Sequence, residues 1–102
     1  RMEQWGLGPA EVAARNPRLV YTRVSGYGQT GPYASRPGFA SACEAMGGLR
    51  FVNGFPDGPS VRPNLSLGDT FAGIQAALGT ILALLARDSD RHDGRSAGQV
   101  VD

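Results

Sequence analysis

The alternation of apolar and polar positions changes period several times along the chain, and each change marks an element. Gly8-Pro9-Ala10-Glu11-Val12-Ala13-Ala14-Arg15 reads as a short helix, with Pro9 suited to the first turn and Asn16-Pro17 as the stop. Residues 18–25 are rich in β-branched and aromatic side chains between Pro17 and Gly26, which predicts a strand in a mostly buried sheet. A glycine-rich connection follows over residues 26–38. Residues 39–46 have helical composition and stop at Gly47-Gly48; residues 49–53 then read as a short strand or extended segment, and residues 55–59 as a turn cluster.

The strongest pattern starts at Asp69. Phe71, Ile74, Leu78, Ile81, Leu82 and Leu85 recur at helical spacing, and Ala72, Gly73, Ala76, Ala77, Gly79 and Ala83 fill the intervening positions with small side chains. This predicts a helix starting at Asp69 that is buried on nearly every side. The 17-residue apolar stretch over residues 70–86 sits at the short edge of what spans a bilayer, and a buried helix explains it better. Residues 88–96 read as a solvated charged loop, with His92 a plain exposed residue within it, and Val100-Val101 as the beginning of a strand. Helices alternating with strands predict an α/β fold.

Composition narrows the chemistry. With 102 residues, 41% of them hydrophobic, the chain suffices for one domain or part of one. Ten basic residues against nine acidic ones give no field of one sign to draw nucleic acid or a membrane surface. All ten basic residues are Arg, so Schiff-base chemistry and a Walker-type lysine loop are both excluded within these residues. One Cys and one His cannot make a disulfide or a spaced zinc set, so no metal site is expected. No basic, apolar and small-residue series opens the chain, and residue 1 is Arg; an excised piece of an intracellular protein is expected, cytoplasmic or, in a eukaryote, mitochondrial or peroxisomal.

Three features bear on function, each with a plainer reading beside it. Gly26-Tyr27-Gly28-Gln29-Thr30-Gly31 matches the dinucleotide glycine fingerprint after a predicted strand, but Pro32 and Arg36-Pro37-Gly38 interrupt the helix that the fingerprint requires. The loop is then one that passes close to another ligand or backbone. Asp69 reads as an N-cap whose carboxylate accepts the first free helical amides. The same placement keeps it ionised, and an ionised carboxylate can attack an acyl carbon without a general base. Cys43 reads as a small core residue and Glu44 as a helix-surface acid, since no activating partner is evident for either.

The segments Asn16-Pro17-Arg18-Leu19-Val20-Tyr21, Ser25-Gly26-Tyr27-Gly28-Gln29-Thr30-Gly31-Pro32-Tyr33, Arg36-Pro37-Gly38-Phe39, Glu44-Ala45-Met46-Gly47-Gly48-Leu49, Leu67-Gly68-Asp69 and Gly98-Gln99-Val100-Val101-Asp102 resemble, in order and spacing, those of the family III CoA-transferases. That family includes formyl-CoA, succinyl-CoA and carnitine-CoA transferases and α-methylacyl-CoA racemase, in chains roughly four times this length, beyond one ordinary domain. The resemblance implies that residues 1–102 are part of a Rossmann-like large domain, in a homodimer whose subunits interlink like rings, and that the fragment alone is inactive. It implies an acyl-CoA:carboxylate CoA-transferase with acyl-CoA and a small carboxylic acid as partners, coenzyme A as substrate rather than resident cofactor, and neither nucleic acid nor membrane involved.

By position, Asp69 matches the family's catalytic aspartate, which attacks the acyl-CoA thioester to form an aspartyl-acyl anhydride. The same resemblance makes Gln4 and Trp5 candidate contacts for CoA, though Trp5 equally suits a core or interface aromatic. Gly26, Gly28 and Gln29 are candidates for the approach to the thioester or the partner subunit. Racemase members carry a His and an acid where this chain has Phe39 and Ala40, and Phe39 cannot titrate, which favours transferase over racemase. Some transferase members carry an acid at Ala40; its absence, and whether Glu44 replaces it, leave the acyl substrate open. The alternatives are a racemase-like member and a noncatalytic nucleotide- or acyl-CoA-binding module.

Overall fold

The computed structural model describes residues 2–89 and 96–102. In chain order these form a 3-10 turn at Glu3–Trp5, α1 at Pro9–Arg15, β1 at Tyr21–Thr22, α2 at Ala40–Met46, α3 at Leu67–Ser89 and β2 at Val100–Val101. His92 and most of the charged loop around it lie outside the described residues. The chain divides into two compact units, Arg1–Arg23 with Gln75–Asp102, and Val24–Ile74.

In the first unit, Pro9 opens α1 where its missing N–H costs nothing, and Asn16 closes it. Asn16 Oδ1 then accepts the Arg18 amide at 3.1 Å, turning the chain into β1. Strands β1 and β2 pair in parallel, Tyr21 opposite Val100 and Thr22 opposite Val101. Backbone bonds from Tyr21 N to Gln99 O (2.9 Å) and from Arg23 N to Val101 O (2.8 Å) extend the ladder at both ends. The strand expected over residues 18–25 is therefore paired over two residues only, because its partner is just as short. A parallel pair needs a crossover rather than a hairpin, and α3 lies in that connection, so the architecture is α/β.

Helix α3 meets this ladder through small and hydroxyl side chains. Thr80 Oγ1 donates to Ala76 O (2.7 Å), so the 2.6 Å contact between Thr22 and Thr80 has Thr22 as its donor. A Cβ at Gly79 would come within 2.7 Å of Val101 Cγ1, so any side chain here would have to displace that of Val101. The guanidinium of Arg87 bonds the Arg18 carbonyl at 3.1 Å, Arg18 pairs with Asp88 at 3.2 Å and bonds Ser96, and Ser96 Oγ closes back on Arg87 O at 2.9 Å.

Two expectations about α3 are corrected. The helix starts at Leu67 rather than Asp69, because the Ser66 carbonyl takes the first helical bond, from Thr70 N at 3.0 Å. Nor is it enclosed: Ala83 is the buried apolar residue among those described, while Phe71, Ile74, Leu78, Ile81, Leu82 and Leu85 are between 49% and 62% exposed. Two two-residue strands and two seven-residue helices offer too little surface to cover 23 residues of apolar helix. By length and composition alone, α3 is also long and apolar enough to cross a membrane.

In the second unit, Phe39 precedes α2 in extended conformation and Gly47-Gly48 end it. Gly48 takes φ +85°, its amide bonds Ala45 O at 3.2 Å, and the Leu49 amide reaches Glu44 O at 2.9 Å, the paired bonds of a Schellman cap. That cap overturns the expected strand at residues 49–53: Phe51 N and Val52 N both turn back to Gly48 O, at 3.0 and 3.3 Å. Beyond it, Asn53 and Val61 exchange bonds, Val61 N to Asn53 O (3.1 Å) and Asn53 Nδ2 to Val61 O (2.9 Å), around the turn closed by Gly58 N and Phe55 O (3.1 Å).

A Cβ at Gly98 would overlap the Leu19 carbonyl, beside the 2.7 Å bond from Gly98 N to Pro17 O. Gly98→Ala is expected to force the entry to β2 away from β1 and to cost about 1–3 kcal/mol. Urea titration of the full-length protein that carries this chain checks it; an unchanged midpoint would contradict the close approach.

Candidate functional site

The second unit contains a cleft of about 580 Å³ at the start of α3. Its wall includes Gly26 from the glycine loop, Gly38 and Phe39 before α2, Arg62 from the segment ahead of α3, and Gly68 and Asp69 from the first turn. The loops that meet here can do so only as glycines. A Cβ at Gly26 would stand 2.8 Å from Gly38 Cα, and one at Gly38 would stand 2.9 Å from the Tyr27 ring and 3.2 Å from Cys43 Sγ. Cys43 Sγ–H donates to Gly26 O at 2.9 Å and pins the loop to α2. Cys43 is not the core residue expected: it is half-buried and itself lines the cleft, with its thiol holding the loop.

Asp69 is the third residue of α3 and is exposed to the cleft. It is not the N-cap, a correction that follows from the helix starting at Leu67. The Leu67 amide bonds Leu65 O at 2.9 Å, the Gly68 amide bonds Glu44 Oε1 at 3.1 Å, and Ser66 O receives Thr70 N. Among the described residues, neither the Asp69 carboxylate nor the Asp69 amide makes a hydrogen bond or ion pair. The carboxylate keeps its lone pairs, and an unused N–H belongs to the same residue.

Glu44 departs furthest from its expected place. It is not a helix-surface acid but a buried one, 5% exposed. Four residues after Ala40, it points from α2 to the start of α3, and the Gly68 amide is its hydrogen-bond partner. Arg50 Nε stands 3.9 Å from Oε2, near enough for charge attraction and too far for a hydrogen bond. This acid is engaged where Asp69 is not.

The glycine loop lacks the dinucleotide geometry, since turns at residues 31–36 rather than a helix follow it. Gly26 lines the cleft with Asp69. Gly28 takes φ +76°, Gln29 Nε2 bonds Ser25 Oγ at 3.1 Å, and neither lines the cleft. Gln4 and Trp5 belong to the other unit, in the 3-10 turn, with Trp5 67% exposed rather than packed in a core. Nearby, the Glu3 carboxyl is held below the ordinary carboxylate range by its own backbone amide and by Arg23 at 2.7 Å. Arg62 brings a cation to the cleft that no local pattern marked; its only sequence signal is its position seven residues before Asp69. Among the described residues no group of three His, Cys, Asp or Glu could hold a metal ion.

Gly26→Ala is expected to part the glycine loop from Gly38 and release the Cys43 thiol from the Gly26 carbonyl. Alkylation of Cys43 by iodoacetamide, followed at its peptide by mass, should then quicken about fivefold, equivalent to the loss of roughly 1 kcal/mol of hydrogen bond. An unchanged rate would mean that the two loops do not depend on each other.

Comparison with known proteins follows the same residues. The sequence profile of CoA-transferase family III matches residues 1–102. Succinyl-CoA–D-citramalate CoA-transferase of Chloroflexus aurantiacus is 50% identical over 101 residues, which cover 99% of this chain and 24% of that protein. The beta subunit of succinyl-CoA–L-malate CoA-transferase from the same organism is 44% identical over 102 residues, again 99% of this chain and 24% of the relative. A crystal structure of a CAIB/BAIF family protein from Brucella suis superposes with a TM-score of 0.89 at 32% identity, covering 99% of this chain and 25% of that one. The chain thus spans about a quarter of the length of the relatives it matches.

Proposed function

This chain belongs to CoA-transferase family III, and from that premise we propose that it is the Asp69-bearing part of a longer enzyme that moves CoA between carboxylic acids. The observation that carries the reading is the free Asp69 carboxylate, exposed to a cleft in the first turn of α3. In this reading Asp69 attacks the thioester carbonyl, the C–S bond breaks, and an aspartyl-acyl anhydride and CoA thiolate result. The thiolate then attacks the aspartyl carbonyl, releasing the donor acid and leaving an aspartyl-CoA thioester. The acceptor carboxylate attacks that thioester, expelling thiolate and forming a second anhydride, whose acyl carbon the thiolate takes to give the new acyl-CoA and regenerate Asp69. Each step needs an ionised, unencumbered carboxylate and donors for the tetrahedral oxyanion.

The relatives named for succinyl-CoA support a succinyl donor and a small dicarboxylic acceptor. The apolar side chains exposed along α3 support a larger Rossmann-like domain and an interlinked homodimer in which they are covered. Gln4, Trp5, Gly28 and Gln29 remain proposed contacts for CoA or the partner subunit. An intracellular setting, where acyl-CoA is made and used, belongs to the same reading.

Asn keeps the size and helix compatibility of Asp69 but cannot form the anhydride at a useful rate. In the full-length protein, Asp69→Asn should lower CoA exchange by at least about a thousandfold while thermal stability changes little. Wild type incubated with succinyl-CoA and then hydroxylamine should carry a hydroxamate at Asp69, read by peptide mass, and the Asn variant should not. An active Asn variant with an unlabelled wild type would sink the covalent route.

The identity of residue 39 separates transfer from racemisation. Phe39→His should not create racemase activity, because Ala40 leaves the new imidazole without a neighbouring acid and a second proton-transfer group is still needed. Deuterium exchange at the α-carbon of a 2-methylacyl-CoA checks this, and exchange at a rate comparable to CoA transfer would contradict it.

A further inference from the structure

We propose that Glu44 is the positioning residue for Asp69, seating the first turn of α3 by accepting the Gly68 amide; this rests on reading Asp69 as the acyl-accepting carboxylate. The Glu44 side chain is 2% exposed. Its Oε1 accepts the Gly68 N–H at 3.1 Å, while Oε2 is buried without a hydrogen-bond partner, as is Arg50 Nε 3.9 Å away. A buried carboxylate with half its acceptor capacity unfilled is poorer for stability than an apolar side chain of similar volume. What the carboxylate offers here, and an apolar side chain does not, is an acceptor for the Gly68 amide.

That amide is one of the unpaired donors at a helix start, and it belongs to the residue directly before Asp69. The seat has two parts, one turn apart on α2. A Cβ on Gly68 would stand 3.3 Å from Ala40 Cβ and 3.5 Å from Glu44 Oε1, so small Ala40 admits the Gly68 backbone and Glu44 holds it. Because the Asp69 side chain has no partner of its own among the described residues, its place in the cleft is set by its backbone. That backbone is fixed on both sides, by Thr70 N on Ser66 O within the helix and by Gly68 N on Glu44, and the Gly68 bond is the one that ties it to another element. A nucleophile misplaced by about 1 Å can lose a hundredfold in rate, so an acceptor at this point acts on the chemical step.

The test compares Glu44→Gln, which keeps the Oε1 acceptor, with Glu44→Met, which removes it, in the full-length protein with succinyl-CoA. The Gln variant should keep kcat within about threefold of wild type. The Met variant should lose about 10- to 100-fold in kcat, and in the single-turnover rate of hydroxylamine-trapped Asp69, with the KM for succinyl-CoA nearly unchanged. A Met variant with wild-type kcat, a Gln variant as slow as Met, or a loss confined to KM would each overturn the proposal. Should Glu44→Met not fold, hydrogen exchange at the Gly68 amide decides: protection in both wild type and the Gln variant is expected, and exchange at the rate of a free amide in either overturns it. Failure of the transferase reading gives a different result, a wild type with neither CoA exchange nor trapped Asp69, and the Gly68 exchange rates still judge the seat.

Discussion

The bond from the Gly68 amide to the buried carboxylate of Glu44 joins two elements far apart in sequence, a seven-residue helix and the start of a 23-residue one. Apart from Arg62, the walls of the cleft described above are referred to one of these two. Gly38 and Phe39 lead into α2, the glycine loop is tied to α2 through Cys43, and Gly68 and Asp69 begin α3. A seven-residue helix is too short to persist alone, so α2 depends on its Schellman cap and on the contacts its side chains make across to α3 and the loop. The cost of burying Glu44 is accepted at the point where those contacts converge.

Close backbone approach is the second constraint, and glycine sets it at separate places. Gly26 against Gly38 shapes the cleft; Gly79 against Val101 and Gly98 against Leu19 let α3 and β2 close on β1. These contacts order backbones without enclosing large side chains. Phe71, Ile74 and Leu85 stay exposed along α3 in a chain that spans about a quarter of its relatives' length.

Much of this was legible where the signal is local. Pro9 at the first turn of α1, Gly47-Gly48 at the end of α2, and the strand at Val100-Val101 are read from steric preferences within a few residues, and the structure agrees. The motif segments likewise identified the family. Residues 49–53 misled because Phe51 and Val52 have strand propensity, while the cap at Gly48 decides their path. The start of α3 misled because Asp69 suits an N-cap, whereas Ser66 gives its carbonyl rather than a side chain to the first bond. Burial of Glu44 was illegible for a different reason. Its acceptor role is owed to an amide 24 residues away, and no pattern within α2 encodes that.

Two acids lie close to the same cleft, and their surroundings divide the work. Glu44 is enclosed, hydrogen-bonded through one oxygen and drawn toward Arg50 through the other, so its carboxylate has no access to a substrate. Asp69 is open to the cleft, and among the described residues its carboxylate makes no hydrogen bond or ion pair. Had Asp69 been the cap of α3, the bonds that stabilised the helix would have occupied the electrons that an attacking carboxylate needs. Beginning the helix two residues earlier removes that conflict: Ser66 starts the hydrogen-bond ladder, Glu44 takes the Gly68 amide, and the third position is left in the helical field without being consumed by it. The helix start therefore leaves the Asp69 carboxylate open to react, and the buried acid ties the backbone just before it to α2.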